Sequence, residues 1–174
     1  MSDNTTNVQI VICGRGGQGV LFLTRLIDEV AVYAGNSVIS SETHGMAMRG
    51  GSVASYIRIG SYNSPLIRAG EADILIAISE REAPLNSHLL KKKDVQKYIN
   101  AKSRKKNTIN ATTVAEKLGS AVTANLVLLG YATAHDRFPF SFETVKSVLE
   151  RISPPRVLET NVKALTEGYN LAAE

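Results

Sequence analysis

Two short stretches concentrate residues able to do chemistry. The first is "CGRGGQG", Cys13 to Gly19, where Gly14, Gly16 and Gly19 stand in G-x-G-x-x-G spacing around Gly17 and Gln18. In dinucleotide-binding turns the first such glycine allows a tight bend. The second lets backbone approach a phosphate, and the third permits close helix–strand contact. Amides at the start of a following helix carry partial positive charge and favour an anion. Gly17 adds an amide with no side chain in the way. The chemistry on offer is anion or phosphate binding at the amides of Gly16 to Gly19, with Gly16 expected at positive φ. For a full dinucleotide site an acid is expected about 20 residues further on. Only Glu42 answers, and it comes late; no Walker-type lysine follows the glycines. A ligand-free βα turn and an anion site both stand as readings.

The second stretch is "ETHGMAMRGGSVASYIRIG", residues 42 to 60. Arg49 beside Gly50 and Gly51 can present a guanidinium fork to a carboxylate or phosphate while the backbone stays close. Met46 and Met48 are flexible apolar groups suited to adaptable contacts. His44, Met46, Arg49, Gly50 and Gly51 are therefore candidates for an interface or ligand edge. The competing reading is a surface turn whose His44 and Arg49 satisfy local carbonyls. No catalytic residue is assigned, because no carboxylate pair and no Ser-His-Asp order appears. His44, His88 and His135 are scattered, so no protein-built metal site is expected. Cys13 is the one cysteine. It can form no internal disulfide, and an iron–sulfur cluster needs about four thiolates. A small core residue is its expected role.

The elements that must hold these stretches follow from periodicity. Val8 to Ile12 is an almost wholly apolar run, as in a strand covered on both faces. From Gln18 onward Val20, Leu23, Ile27, Val30 and Ala34 recur at helical spacing, and Gly35 with Asn36 stops the helix. "SVISS" reads as a second strand. In "SVASYIRIG" Val53, Ser55, Ile57 and Ile59 share one face, and Ala54, Tyr56 and Arg58 the other. "ADILIAISE" is a further apolar strand, with a helix expected from about Ala83. "NTINATTVAEKLG" gives a short strand, then a helix capped by Thr112 or Thr113 and stopped at Gly119. "TANLVLLGYATAHD" is a helix apolar almost all round, so it is buried or forms an interface. "SFETVKSVLERI" opens on a Ser141…Thr144 cap, and a last helix spans about Leu158 to Ala172. Strands alternating with helices predict one α/β domain over residues 1–174. Its architecture is three-layer and doubly wound, with a mainly parallel sheet and helices on both faces.

Composition narrows the class. Of 174 residues, 44% are hydrophobic and none is Trp, so the core is aliphatic. No run is apolar enough to cross a membrane, and the start lacks the basic region of a signal peptide. A cytoplasmic setting is expected. The net charge of +4 is uneven: residues 91 to 106, "KKKDVQKYINAKSRKK", hold eight Lys or Arg and one Asp. A charge so local does not predict nucleic-acid binding. It reads as a solvated segment, with contact to phosphates or an acidic partner as the alternative.

Three pieces together, "IVICGRGGQGV", "ETHGMAMRGGSVASYIRIG" and "SPLIRAGEADILIAISEREA", resemble the gamma subunit or gamma domain of 2-oxoacid:ferredoxin oxidoreductases. "NLVLLGYA" resembles a later helix of that family. The likeness covers residues 8 to 85 closely and 108 to 172 loosely. It implies a non-catalytic subunit of a complex that oxidatively decarboxylates a 2-oxoacid, in some members to an acyl-CoA. Thiamine diphosphate and iron–sulfur clusters are then held by partner alpha and beta subunits, with delta in some complexes, and ferredoxin takes the electrons. A CoA contact by this chain is left open. "HGMAMRGG" is closer to indolepyruvate-type subunits than to 2-oxoglutarate-type ones. The likeness breaks between Leu90 and Thr108, where members of the family carry a longer stretch with a further strand and loop. Two other classes stand beside it: an independent protein binding NAD or FAD through "GRGGQG", and a ligand-free assembly module. The all-apolar helix predicts a homodimer when the chain is isolated. No membrane and no nucleic-acid partner is expected.

Overall fold

The computed structural model describes residues 7–44, 50–103 and 108–172, with the side chain of His44 outside that description. Six strands form one sheet: β1 Val8–Arg15, β2 Val38–His44, β3 Ser52–Ile59, β4 Ile74–Ala77, β5 Gln96–Asn100 and β6 Thr108–Ile109, in the order β2-β3-β1-β4-β5-β6. β1, β4, β5 and β6 run parallel, and β3 is antiparallel to both its neighbours, β1 and β2. The helices are α1 Val20–Tyr33, α2 Ala83–Asn86, α3 Ala111–Lys117, α4 Ala124–Thr133, α5 Phe142–Ile152 and α6 Pro155–Asn170.

The alternation in β3 is realised as read. Ile57 and Ile59 enter the large core with Ile10, Ile12, Leu23, Ile27 and Leu126. Ala54 and Tyr56 face a smaller core with Val11, Cys13, Leu75 and Ala77. The two faces are covered unequally. α1, α3, α4, α5 and α6 pack on the first. The second is closed by α2, the 3-10 turn Ser87–Leu89 and the segment around Ile67 and Ala72. No helix among the described residues is long and apolar enough to cross a membrane.

Several expectations change. The basic stretch, read from sequence as a solvated segment, contains a strand, β5. Tyr98 is fully buried and packs edge-on against Tyr131 and Phe138 and obliquely against His135. One aromatic anchor outweighs the lysines, which stay on the water side. Lys91 pairs with Asp73, so it too is bound to the fold. The cap of α3 is Asn110, whose side chain accepts from Thr113 N at 3.1 Å, and α6 begins at Pro155, before Leu158.

A further change concerns α4. Every residue from Ala124 to Thr133 except Tyr131 is buried within this one chain. α6 supplies much of the cover, and the two helices cross so closely that glycine is needed on each. A Cβ on Gly130 would run into the Leu165 carbonyl, and one on Gly168 into that of Val127. The apolar circumference of α4 is met from inside, so it does not require a second chain.

Candidate functional site

All strands that run with β1 end at one edge of the sheet. There β1 passes into the glycine turn, and the chain crosses through α1 to β2 on one side. β4 lies against β1 on the other side, Cys13 opposite Ala77. Such a reversal of strand order leaves a crevice beyond the carboxyl ends of the strands.

The antiparallel pairing of β1 with β3 places Arg15 opposite Ser52, which brings the glycine turn against the residues that lead into β3. The amide of Gly16 donates to the Gly51 carbonyl at 2.9 Å. Arg15 Nε donates to the Gly50 carbonyl at 2.8 Å. A Cβ on Gly16 would lie 3.1 Å from the Gly50 nitrogen. Gln18 folds back on the turn: its Oε1 accepts from Arg15 N at 2.7 Å, and its own amide donates to the Arg15 carbonyl at 3.0 Å.

Each glycine of the spacing thus has a neighbour in the protein that explains it. A Cβ on Gly14 would meet Val20 Cγ2 at 2.9 Å, and one on Gly19 would collide with the Asn125 amide. Asn125 Nδ2 donates to the Gly19 carbonyl at 3.2 Å while its Oδ1 accepts from Leu126 N at 2.8 Å, which ties α4 to the turn. Positive φ lies at Gly17 (92°) and Gly19 (79°), not at Gly16 as expected. Of the four glycines of the turn, only Gly17 has open space where a Cβ would stand. Two of the amides an anion would take, those of Gly16 and Gln18, are already bonded.

Of the second stretch, Gly50 and Gly51 join the turn in this way. His44 ends β2 opposite Val53; its side chain, Met46 and Arg49 lie outside the described residues. Beside the loop, Ser52 Oγ donates to Glu82 Oε2 at 2.6 Å. Asn86 Nδ2 donates to the Glu82 carbonyl at 2.9 Å, which fixes the buried acid at the head of α2. Burial first, and the Glu82 charge second, push the Cys13 thiol up to about 12, with a hydrogen bond to Asn86 opposing.

The open part of this edge lies beyond β4, β5 and β6. A crevice of about 690 Å³ is lined by Arg15, Gln18, Ser79, Glu80, Arg81, Asn100, Lys102, Asn110, Thr112, Thr113 and Glu116, with Ile78 and Ala101 as apolar members. Asn100 shapes it: its Nδ2 donates to the Ile78 carbonyl at 3.0 Å and to Thr112 Oγ1 at 2.8 Å, and its Oδ1 accepts from Thr112 N at 3.2 Å. Sequence reasoning found only Arg15's neighbourhood and Gln18 here. The other residues stand at the ends of strands or in loops, and only the strand order brings them together.

The family model of pyruvate ferredoxin/flavodoxin oxidoreductase matches residues 9–171. The chain is 35% identical to the indolepyruvate oxidoreductase subunit IorB of Archaeoglobus fulgidus over 191 aligned positions, covering 95% of each. It is 25% identical to the 2-oxoglutarate synthase subunit KorC of Methanothermobacter thermautotrophicus, again over 95% of each. The crystal structure of the gamma subunit of a keto/oxoacid ferredoxin oxidoreductase from Geobacter sulfurreducens superposes with a TM-score of 0.77 at 26% identity. That match covers 95% of this chain and 98% of the other.

Proposed function

The chain belongs to the pyruvate ferredoxin/flavodoxin oxidoreductase family, and from that premise we propose that it is the gamma-type subunit of a 2-oxoacid oxidoreductase complex of the indolepyruvate kind. The observation that carries this reading is the end-to-end likeness to an indolepyruvate oxidoreductase subunit at 35% identity, against 25% to a 2-oxoglutarate synthase subunit. The sequence of the loop, "HGMAMRGG", leans the same way.

The chain's own residues support a non-catalytic part in that complex. A cluster needs about four thiolates, and Cys13 is the one cysteine, buried and strongly disfavoured as thiolate. An iron–sulfur cluster does not fit here, so in this reading the clusters belong to partner chains; thiamine diphosphate on a partner and ferredoxin as acceptor of the whole complex are what the family likeness implies. The turn, the Gly50–Gly51 segment and the Ser52–Glu82 pair form a platform braced by hydrogen bonds. A platform of this kind serves docking rather than bond-breaking.

The test is co-expression with the thiamine-diphosphate-binding partner encoded in the same source. The complex should reduce a viologen dye with indolepyruvate, faster than with 2-oxoglutarate, and this chain alone should be colourless and inactive. Iron–sulfur absorbance with stoichiometric iron in the isolated chain would overturn the reading. So would NAD-dependent turnover by the chain alone.

A further inference from the structure

The two edges of the sheet end differently. β6 closes one with the two residues Thr108–Ile109. β2 closes the other with seven, Val38–His44, paired to β3 without a bulge from Val38 opposite Ile59 to His44 opposite Val53. Gly60 N donates to the Ser37 carbonyl at 2.8 Å. Bonded pairs alternate along an antiparallel ladder, so Ser37, Ile39, Ser41 and Thr43 direct their backbone groups to β3. Val38 and Ser40 turn theirs outward, and among the described residues nothing bonds to them. Natural sheets blunt such an edge with lysine, proline, a bulge or a covering element. β2, "VISSETH", contains neither Lys nor Pro.

The flanks of this edge differ in chemistry. Val38, Ser40 and Glu42 stand on the face that carries α1. There Ser40 Oγ donates to Asp28 Oδ2 at 2.8 Å, and Asp28 Oδ1 is buried without a partner. Glu29 and Glu42 lie close enough to Asp28 to oppose its ionisation. Arg25 is the one cation on α1, so this flank is acidic. On the opposite face Ile39, Ser41 and Tyr56 are half-buried. A second copy of the chain does not suit such an edge. Two β2 strands related by a two-fold axis pair antiparallel, outward residue against outward residue. The registers that use most of the strand set Glu42 opposite Ser40, Val38 or Glu42 of the other copy. The first lays Glu42 beside the Asp28 bonded to that Ser40. The second brings the two Ser40–Asp28 pairs together, and the third opposes the two Glu42 side chains. Like charges set opposite each other across strands are destabilising.

We propose that the outward edge of β2 takes up an extended segment of a partner chain, with Lys or Arg at the alternate positions over α1 and apolar residues between them, beside Ile39 and Tyr56. Main-chain bonds to Val38 and Ser40 supply affinity, and the alternating side chains supply specificity. The proposal rests on the reading of this chain as a subunit, which supplies the partner.

The test uses the full chain co-expressed with the thiamine-diphosphate-binding partner. Hydrogen exchange, read by fragmentation and mass spectrometry, compares the isolated chain with the complex. The amides of Val38 and Ser40 should exchange fast in the isolated chain and about tenfold or more slowly in the complex, while those of Ile39 and Ser41 stay slow in both. Ser40→Ala removes the hydroxyl, keeps the amide and should still assemble. Ser40→Pro removes the amide at an edge position where proline is tolerated, and should weaken assembly about tenfold. Glu29→Lys, at an exposed side chain, should weaken assembly too. Melting curves establish that Ser40→Pro folds, and the exchange comparison stands without that variant. A complex in which the Val38 and Ser40 amides stay unprotected overturns the proposal and leaves the subunit reading standing. So does equal assembly by the wild type and a folded Ser40→Pro chain. Protection of the same amides in a dimer of the isolated chain gives the edge to a second copy and overturns the proposal. Failure of the wild-type chain to assemble overturns the subunit reading and the proposal together.

Discussion

The backbone amide of Gly16 donates to the carbonyl of Gly51 at 2.9 Å. That bond joins two segments far apart in sequence, the glycine turn and the entry to β3. In a dinucleotide-binding turn the second glycine keeps its Cβ out of the way of a phosphate. Here the approaching group is the chain's own backbone, with the Gly50 nitrogen 3.1 Å from where a Gly16 Cβ would stand. The same residue type at the same spacing answers a different steric demand.

A substitution pair separates that demand from backbone strain. Gly16→Ala forces Gly50 to move, and overpacking of this sort costs about 1–3 kcal/mol. Gly17→Ala meets no neighbour but must hold a φ of 92°, at about 1–2 kcal/mol. Both variants should melt at lower temperature. Only Gly16→Ala should also lose co-purification with the partner subunit, because only it displaces Gly50 and Gly51. Wild-type assembly by Gly16→Ala would show that the close approach of Gly16 to Gly50 has no part in docking.

What was legible in the sequence was what repeats locally. The period of two in β3, the helical spacing of α1 and the Ser141 cap of α5, whose hydroxyl accepts from Thr144 N at 3.2 Å, all stand as read. β5 was hidden because Lys97 and the lysines before it mask a strand whose stability is tertiary, built on Tyr98 against Tyr131 and Phe138. Asn110 does not stand out as the cap of α3 because Thr112 and Thr113 are also capping residues, and only geometry chooses among them. Gly19 and Asn125 lie 106 residues apart, and no local pattern announces their contact. The crevice was out of reach for a related reason. Arg15, Arg81 and Lys102 meet only once β1, β4 and β5 are placed side by side.

Cys13 should be chemically silent in the native state. Its thiol is pushed up to about 12, first by burial and then by the Glu82 charge, and the thiolate is the reactive form. An aromatic disulfide reagent at pH 8 should release no chromophore from the folded chain and one equivalent after denaturation. Rapid labelling of the native protein would show that the small core opens readily at Cys13.

Asp28 sets a pH dependence. It sits half-buried on α1, takes a hydrogen bond from Ser40 Oγ at 2.8 Å, and leaves Oδ1 unpartnered. Its pKa is raised above 3.8, by burial first, with Glu42 and Glu29 adding and the Ser40 bond opposing. A raised carboxyl pKa means that the folded state holds the proton more tightly than the unfolded chain does. The resulting stability is full below 3.8 and is lost as pH rises through the folded value. Asp28→Asn should therefore stabilise the chain at neutral pH, and the gain should vanish in acid below that range. Denaturant titrations at several pH values check this. A variant less stable than wild type at pH 7 would show that the ionised Asp28 is better served than its surroundings indicate.

Leu128 decides between two meanings of the apolar helix. If α4 faced a partner, Leu128→Glu would leave a soluble monomer that fails only to assemble. The structure puts Leu128 at 0% exposure inside one chain, among the large core that α4 shares with α6. A carboxylate there has no partner, and burying an unpaired charge costs many kcal/mol unless it is neutralised or the site opens. Total stability is about 5–15 kcal/mol, so the substitution should remove most or all of it. The isolated variant should lose its cooperative melting transition, before any partner is added. Lys92→Glu, at an exposed side chain, should change stability by no more than about 0.5 kcal/mol. Circular dichroism melts of the two variants, followed by gel filtration, give the answer. A folded, monomeric Leu128→Glu chain would return α4 to the surface and restore the case for it as a subunit interface.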